Sequence, residues 1–217
     1  MKITAIAHSK HRNAFGLVGI EVDSNQKRAY VKMAKQWSRD KINTVPSEIA
    51  KLYREIKWSK TYIDQESGEH LIQDLRKSYN IPLKIITTQK KVKDPKGIEK
   101  ITTMDKIEIT QFMLTLMQNH QVKFPQNPSQ IMAELEHQIA VYSEHKTEQG
   151  SIDYFAPGEE KDNLTKALLI CCFAARKQLS LVPNDTVHVG GGIGNKVTQY
   201  NFRDMHESST MQEFANL

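Results

Sequence analysis

Asp64 is the acidic residue whose place in the sequence most suggests chemistry. It ends the β-favouring run "KTYID" and precedes a polar Gln-Glu-Ser-Gly turn and then a helical pattern. In α/β folds ligands bind outside the carboxyl ends of the strands, so a carboxylate here is well placed for chemistry. An aspartate that only begins a turn or a helix would occupy the same position. The residues around Asp64 therefore leave both interpretations open.

Two other positions lie where a predicted strand ends or a predicted helix begins. His8 ends the first apolar run, and Asp162 precedes the last long helical pattern. Taken alone, a histidine such as His8 is more often a core or surface residue than a ligand. Asp162 could simply cap its helix, where the macrodipole favours a carboxylate, although capping does not exclude metal binding.

The hydrophobic pattern predicts an α/β protein. Three consecutive β-favouring runs joined by short polar turns indicate an antiparallel meander, at residues 2–9, 14–23 and 27–37. Helices are predicted at residues 46–58, 68–79, 103–120, 129–143 and 164–179. Further strands are predicted at residues 60–64, 82–89 and 121–125, with one more within 150–163. This order favours a sheet of parallel and antiparallel strands covered by helices.

The composition is that of a globular domain. The chain has 217 residues, of which 39% are hydrophobic and 25% charged, enough to bury a core. No apolar run approaches the roughly 20 residues of a membrane span, so no membrane partner is predicted. The adjacent Cys171 and Cys172 lie in an apolar helical stretch and are interpreted as core residues in a reducing compartment. The net charge of +5 permits a polyanionic partner without requiring one.

The C-terminal part of the sequence differs from the rest. Beyond about residue 180 the periodicity is lost, and four glycines occur between residues 190 and 194. They do not form a dinucleotide-binding fingerprint, because Val197 stands where the last glycine would be and no helical pattern follows. We therefore predict one domain over residues 1–180 and a flexible, glycine-containing tail over residues 181–217.

Five segments between residues 2 and 176 together carry a resemblance to a known family. They are "ITAIAHSKHRNAFGLVGI", "YIDQESGEHLIQDL", "PLKIITTQKK", "MDKIEITQFMLTLMQNHQVKFP" and "LEHQIAVYSEHKTEQGSIDYFAPGEEKDNLTKALLICCFAAR". In this order and spacing they resemble the nuclease domain of viral large terminase subunits, the motors that package double-stranded DNA. The resemblance implies a ribonuclease H-like fold: a mixed five-stranded sheet, with a three-strand antiparallel meander plus parallel strands, and helices on both faces.

The resemblance also implies a metal site made of carboxylates. In this family an acid at the end of the first strand, one at the end of the fourth and one at a late helix hold divalent ions that activate water against a phosphodiester. Asp64 matches the fourth-strand acid, and Asp162 matches the first acid of a late pair. Asn163 stands where the second acid of that pair is expected, and His8 stands where the first-strand aspartate is expected.

The histidine at position 8 changes what such a site could bind. A neutral imidazole cannot bridge two hard cations as a carboxylate does, and it suits softer metals better than Mg²⁺. The resemblance therefore implies Mg²⁺ or Mn²⁺ as cofactor, with Mn²⁺ favoured if His8 is a ligand. The site could equally use one metal or have lost the ability to cut. Glu66, Glu159 and Glu160 are nearby acids that could restore a carboxylate, Glu160 more readily than Glu159 because it is closer to the helix start.

Basic residues lie next to the predicted site in the sequence. Lys10, His11 and Arg12 follow His8 directly, and the loop after the fifth predicted strand carries further lysines, notably Lys90, Lys91 and Lys93. Contacts of this kind with phosphates position a duplex without reading its sequence. The alternative is that these side chains only solvate surface loops.

The function implied by the resemblance is cleavage of double-stranded DNA, with little sequence preference, during viral genome packaging. Such a protein would act in the cytoplasm of a virus-infected or provirus-carrying host cell. The sequence has no Gly-x-x-x-x-Gly-Lys-Ser/Thr phosphate loop, so a separate packaging ATPase domain and a portal are possible partners. Two alternatives stay open: a degenerate module that binds DNA or docks on the ATPase or portal without cutting, and a relative of junction resolvases or transposases. The sequence does not predict the oligomeric state.

Overall fold

The computed structural model describes residues 1–9, 14–87, 102–147 and 150–179. The strands of these ranges are β1 Lys2–Ser9, β2 Ala14–Asp23, β3 Arg28–Trp37, β4 Lys60–Asp64, β5 Leu83–Thr87, β6 Thr102–Thr103, β7 Val122–Lys123, β8 Ser143–Lys146 and β9 Ile152–Phe155. The helices are α1 Val45–Ile56, α2 Glu69–Gln73, α3 Lys106–Gln118, α4 Gln130–Val141 and α5 Asn163–Ala175. Short 3₁₀ segments precede α1 and α2, and a π-helical turn continues α2.

The large sheet is mixed, in the order β6-β5-β4-β1-β2-β3-β7. β1, β2 and β3 form an antiparallel meander, β4 runs parallel to β1, and β5 runs parallel to β4. The predicted combination of a meander with parallel strands is therefore confirmed. Because Ile6 of β1 pairs with Ile63 of β4, the carboxyl ends of these two strands meet at one edge of the sheet.

The sheet contains seven strands rather than the five predicted. The additional β6 and β7 have two residues each and extend the sheet beside β5 and β3; β7 lies within the strand predicted at residues 121–125. A separate hairpin pairs β8 with β9, of which the sequence pattern predicts only the second strand. β6 is too short to show a period of two, so only its pairing with β5 in the folded chain defines it.

Helices cover both faces of the sheet, as the resemblance implies. Alternate residues of β1 face opposite sides: Ala5 and Ala7 contact the core under α3, α4 and α5, whereas Ile6 contacts the core under α1 and α2. α5 lies against β1 and β2 and is buried along almost its whole length, including the free thiols of Cys171 and Cys172. No helix among the described residues has the length and apolar character needed to cross a bilayer.

Glu48 links α1 to β3 of the meander, and this link should make the stability of the protein depend on pH in the acid range. Its carboxylate pairs with the ammonium of Lys35 and accepts a hydrogen bond from Trp37 Nε1 at 3.0 Å. Hydrogen bonds from Lys35, Trp37 and Thr44 lower the pKa of Glu48 to about 2. Since the folded-state pKa is depressed, this stabilisation is present above the unfolded value of 4.5 and is lost as the pH falls from 4.5 to 2.

We therefore expect Glu48→Gln to lower the melting temperature at pH 7 and to lose less stability than wild type between pH 4.5 and pH 2. Melting curves followed by circular dichroism at several pH values measure both effects. Glu55→Gln is the matched control, because Glu55 lies on the same helix and is exposed, with Lys51 3.9 Å away. Parallel pH profiles for wild type and Glu48→Gln would contradict the assignment.

Candidate functional site

Asp64 ends β4 and begins the turn that leads to α2. Its Oδ1 accepts a hydrogen bond from the backbone N–H of Glu66 at 3.2 Å, so it acts as a turn residue. Gly68, at φ of +93°, then redirects the chain into α2, a backbone conformation that favours glycine. Asp64 lies at the edge of the sheet, and yet it is only 7% exposed. Both interpretations of the sequence are thus compatible: Asp64 begins a turn, and its carboxylate lies buried at the sheet edge.

Burial changes the protonation of this carboxylate. Loss of solvation, and then the negative charge of Glu66, raise the pKa of Asp64 to about 6. Asp162 raises the pKa further, whereas the hydrogen bond from Glu66 and the charge of Lys166 lower it. At pH 7 the folded protein therefore holds a poorly solvated negative charge, and a cation brought to this place would relieve its cost.

Asp162 occupies the N-cap position of α5 but does not cap the helix with its side chain. Its Oδ2 lies 3.2 Å from the ammonium of Lys166, one turn along the same helix. Its Oδ1 is buried and has no hydrogen-bond partner. Burying a carboxylate oxygen without a hydrogen-bond partner costs free energy. A ligand from outside the protein that bound to this oxygen would remove that cost.

Asn163 faces the sheet. Its Oδ1 accepts a hydrogen bond from Gln36 of β3 at 2.8 Å. Gly16 of β2 lies directly beneath: a Cβ on Gly16 would lie 2.8 Å from the backbone carbon and oxygen of Asn163. Asn163 therefore holds the start of α5 on the sheet, directly after Asp162.

His8 and Asp64 point to opposite faces of the sheet. His8 is the cross-strand partner of Phe15, whose ring centroid is 4.8 Å away, and Phe15 belongs to the core under α1 and α2. One residue beyond the Ile6–Ile63 pair, the register brings Ala7 beside Asp64, on the face of α5. Because side chains alternate along a strand, Ala7 rather than His8 shares the face of Asp64, and the role of His8 as a metal ligand stays a prediction.

The ring of His8 nevertheless senses the charges of the site. Burial lowers the pKa of His8, and the Lys166 ammonium lowers it further, whereas Glu66 and Asp162 raise it through their charges. The ring also forms a hydrogen bond with the backbone of Glu66. His8 is therefore neutral at pH 7 and lies at the rim of the site.

The two reserve carboxylates differ in position. Glu66 is half-buried and lines a pocket together with Asp64. Glu160 is exposed and pairs with His137 of α4, with 3.0 Å between its Oε2 and the ring Nε2. Glu66 thus lies at the same pocket as Asp64, whereas Glu160 is engaged elsewhere, even though it is only two residues from Asp162.

A pocket of about 60 Å³ adjoins these carboxylates. It is lined by Asp64, Glu66, Ile86, Met104, Lys106, Tyr142, Lys166, Leu169 and Ile170. A water molecule occupies about 30 Å³ of liquid, so the pocket has room for a small cation with its water. Two acids, Asp64 and Glu66, and two lysines, Lys106 and Lys166, line it together, a composition that could hold a cation and an anionic group.

The donors have the chemistry of a divalent metal site but not its finished geometry. Carboxylate oxygens suit Mg²⁺ and Mn²⁺, and the unpaired Oδ1 of Asp162 is an available donor. In residues 1–9, 14–87, 102–147 and 150–179, however, no three His, Cys, Asp or Glu side chains are grouped closely enough to hold an ion. The Lys166 ammonium takes up the other oxygen of Asp162 instead.

Solved structures share this fold. The nuclease of the large terminase from thermophilic phage G20c, solved with bound cobalt, is 13% identical, with a TM-score of 0.53 over 78% of this chain and 79% of that one. The nuclease domain of the large terminase subunit of bacterial virus Sf6 is 11% identical, with a TM-score of 0.55 over 78% of this chain and 86% of that one. The fold is that of a terminase nuclease domain.

The sequence identity to these terminase nuclease domains is low, 11% to 13%. No family model matches the sequence, and the search of curated proteins finds no match. The large terminase from another thermophilic bacteriophage aligns with 77% of this chain at 13% identity and a TM-score of 0.52, but the alignment spans only 38% of that longer chain. The chain thus corresponds to one part of that protein.

Lys166 and Lys106 are site residues that the sequence pattern does not single out. Lys166 could have been recognised, because a lysine four residues after an aspartate lies on the same helical face. Lys106 begins α3, more than 40 residues from either aspartate, and only the tertiary structure brings it to the pocket. The six basic residues predicted to bind DNA, namely Lys10, His11, Arg12, Lys90, Lys91 and Lys93, lie outside the described residues, as does the predicted tail at 181–217.

Proposed function

We propose that the protein is a metal-dependent endonuclease that cuts double-stranded DNA with little sequence preference during viral genome packaging. One observation carries the proposal. Asp64 at a strand end and Asp162 at a helix start are both buried, close enough to shift the pKa of Asp64, and one oxygen of Asp162 has no partner. The fold supports it, because this edge of the sheet belongs to a domain resembling terminase nucleases.

The residues of the site take distinct roles. Asp64 and Asp162 would hold a divalent cation, Mg²⁺ or Mn²⁺, with Glu66 as a third carboxylate. Such an ion lowers the pKa of a bound water and neutralises charge on the phosphate. The terminase nuclease of phage G20c has been solved with bound magnesium as well as with cobalt, which supports a divalent cation here. His8, neutral and at the rim, would orient the turn through Glu66 rather than bridge two ions.

Lys166 supplies a fixed positive charge to the same site. Its ammonium partly neutralises Asp162, and its side chain is 19% exposed, so this pair is shielded from solvent. A cation that binds Asp162 must share or displace this contact. We propose that Lys166 limits the number of ions held at one time and afterwards contacts the anionic DNA.

The partners follow from the same proposal. Double-stranded DNA is the substrate, with a separately encoded or preceding packaging ATPase domain and a portal as assembly partners. The place of action would be the cytoplasm of the infected or provirus-carrying cell. Residues 1–180 would form the nuclease domain and residues 181–217 an additional tail.

A plasmid-nicking assay tests the proposal directly. We expect wild-type protein to convert supercoiled plasmid into nicked and linear forms with Mg²⁺ or Mn²⁺, and Asp162→Ala to lose this activity because a cation ligand is gone. Glu160→Ala is the matched control: it removes an acid two residues away that pairs with His137, and it should cut like wild type. Equal activity of Asp162→Ala and wild type would refute the proposed role.

The His8→Asp variant tests the orientation seen in the structure. A carboxylate at position 8 would point towards Phe15 and away from Asp64, so the cleavage rate should stay near that of wild type. A large gain in cleavage would instead show that position 8 belongs to the cation site.

A second candidate function is a module that binds DNA or docks on a packaging ATPase or portal without cutting. Two observations favour it: Ala7 occupies the first-strand position beside Asp64, and the described residues contain no ready group of three ligands. Such a module would bind duplex DNA, release no nicked product with either ion, and show no rise in melting temperature when the ions are added.

A further inference from the structure

Lys106 lies where helix electrostatics disfavour a cation. It is the first residue of α3, directly after the N-cap Asp105, whose Oδ1 accepts hydrogen bonds from Ile107 and Glu108. The N-terminus of a helix carries partial positive charge, so an ammonium here opposes the macrodipole. Stabilising the helix therefore does not explain a lysine at this position.

The side chain of Lys106 is directed to the pocket and is not free in solvent. It is 24% exposed and lines the same pocket as Asp64 and Glu66. Its ammonium contacts Asp153 Oδ1 at 2.7 Å, and the backbone N–H of Tyr154 donates to the same oxygen, also at 2.7 Å. The ammonium is thus held at a defined place beside the pocket.

The contact with Asp153 can be exchanged for another anion. Asp153 lies in β9 of the separate hairpin, and its side chain is 42% exposed. Ion pairs with this much solvent access contribute little net stability. An incoming phosphate can therefore take the place of the carboxylate without a large penalty, while the stem of Lys106 stays packed.

We propose that Lys106 is a phosphate-positioning residue, which binds a non-bridging oxygen of the DNA backbone at the pocket while Asp153 holds its ammonium there in the free protein. The inference rests on the proposed function, since the pocket is lined by Asp64 and by Lys166, whose ammonium pairs with Asp162. A lysine that lines the same pocket as Asp64 and Glu66 would hold the phosphate next to them. The alternative is that Lys106 serves only to fasten the β8–β9 hairpin.

The salt dependence of DNA binding separates these two roles. Fluorescence anisotropy of a labelled 20-base-pair duplex, between 50 and 200 mM KCl in EDTA, measures affinity without cleavage. One lost phosphate contact lowers the slope of log K against log salt by about 0.9. Between 50 and 200 mM KCl the fold-loss of DNA affinity should therefore be about 3.5 times smaller for Lys106→Gln than for wild type. Lys106→Arg should restore the slope, because a guanidinium also binds phosphate.

Two controls complete the experiment. Lys51→Gln removes the same charge from the opposite face of the sheet, where Lys51 is 73% exposed, and should leave the slope unchanged. Asp153→Asn removes the charged partner of the Lys106 ammonium, while Lys106 still lines the pocket. The DNA affinity of this variant should therefore be equal to or higher than that of wild type. If Lys106 only fastens the hairpin, Asp153→Asn will weaken binding as much as Lys106→Gln, and the proposal is overturned.

The outcome is independent of cleavage. An unchanged slope in Lys106→Gln overturns the Lys106 proposal even if the wild-type protein cuts plasmid. A reduced slope in a protein that never cuts supports Lys106 as a phosphate contact and removes the nuclease proposal alone. Circular dichroism spectra of every variant confirm that each slope refers to folded protein.

Discussion

Asp64→Asn is expected to abolish cleavage and at the same time to make the metal-free protein more stable at pH 7. The loss of activity follows from the loss of a charged ligand. Even residues that only orient metal ligands cost about 10- to 100-fold when replaced, so removing a ligand should cost at least about 100-fold. The gain in stability follows from burial, because the folded protein holds the Asp64 carboxylate at 7% exposure.

The pH dependence of this gain has a defined sign. The pKa of Asp64 is raised from 3.8 to about 6 in the folded state, so between these values the native protein binds more protons than the unfolded chain. The contribution of Asp64 to wild-type stability therefore falls as the pH rises from 3.8 to 6, by up to about 3 kcal/mol. Asparagine carries no charge at any pH, and its oxygen can still accept the hydrogen bond from Glu66.

Urea unfolding curves at pH 4, 5, 6, 7 and 8 measure the effect on stability. The difference between Asp64→Asn and wild type should be small at pH 4 and nearly complete at pH 7, and Mn²⁺ should raise only the wild-type stability. Asp23→Asn is the matched control, because Asp23 also ends a strand and accepts backbone hydrogen bonds, from Asn25 at 2.8 Å and Gln26 at 3.1 Å. A variant that is less stable than wild type at pH 7 would show that Asp64 is a structural residue.

Gly16→Ala is expected to reduce cleavage by far more than its effect on stability explains. Its new Cβ would lie 2.8 Å from backbone atoms of Asn163, where no flexible side chain can move away. The start of α5 must therefore shift and carry Asp162 with it. Overpacking of this kind costs about 1–3 kcal/mol. A displacement near 1 Å in a reacting site can cost about 100-fold in rate.

Gly19→Ala provides the comparison for this prediction. On the same strand, its Cβ would lie 2.1 Å from Cη2 of Trp58, and the three nearest atoms all belong to that ring. Both variants should unfold at lower urea concentrations, but folded Gly19→Ala should cut plasmid at close to the wild-type rate. Equal loss of activity in the two variants, in proportion to stability, would refute the positioning role of Gly16.

Local patterns in the sequence were sufficient to predict the strands of the meander and β4. Their bounds follow from runs of β-branched and apolar residues between polar turns, and β1, β2 and β4 have the predicted limits. The edge strand β6 and the π-helical turn after α2 were not predicted, because neither has a periodicity of its own. They depend on pairing with β5 and on packing beneath the sheet.

For the site, the sequence alone determined that Asp64 ends a strand and that Asp162 begins the last helix, because strand ends and helix starts are local properties of the chain. Only the tertiary structure decided which side chains share a face. The β1–β4 register places Ala7 beside Asp64 and turns His8 towards Phe15, and the packing of α5 on Gly16 directs Asn163 into the sheet. The place of Lys106 at the pocket likewise depends on how α3 packs. Register and helix packing are set by contacts between distant segments, and no local pattern of residues records them.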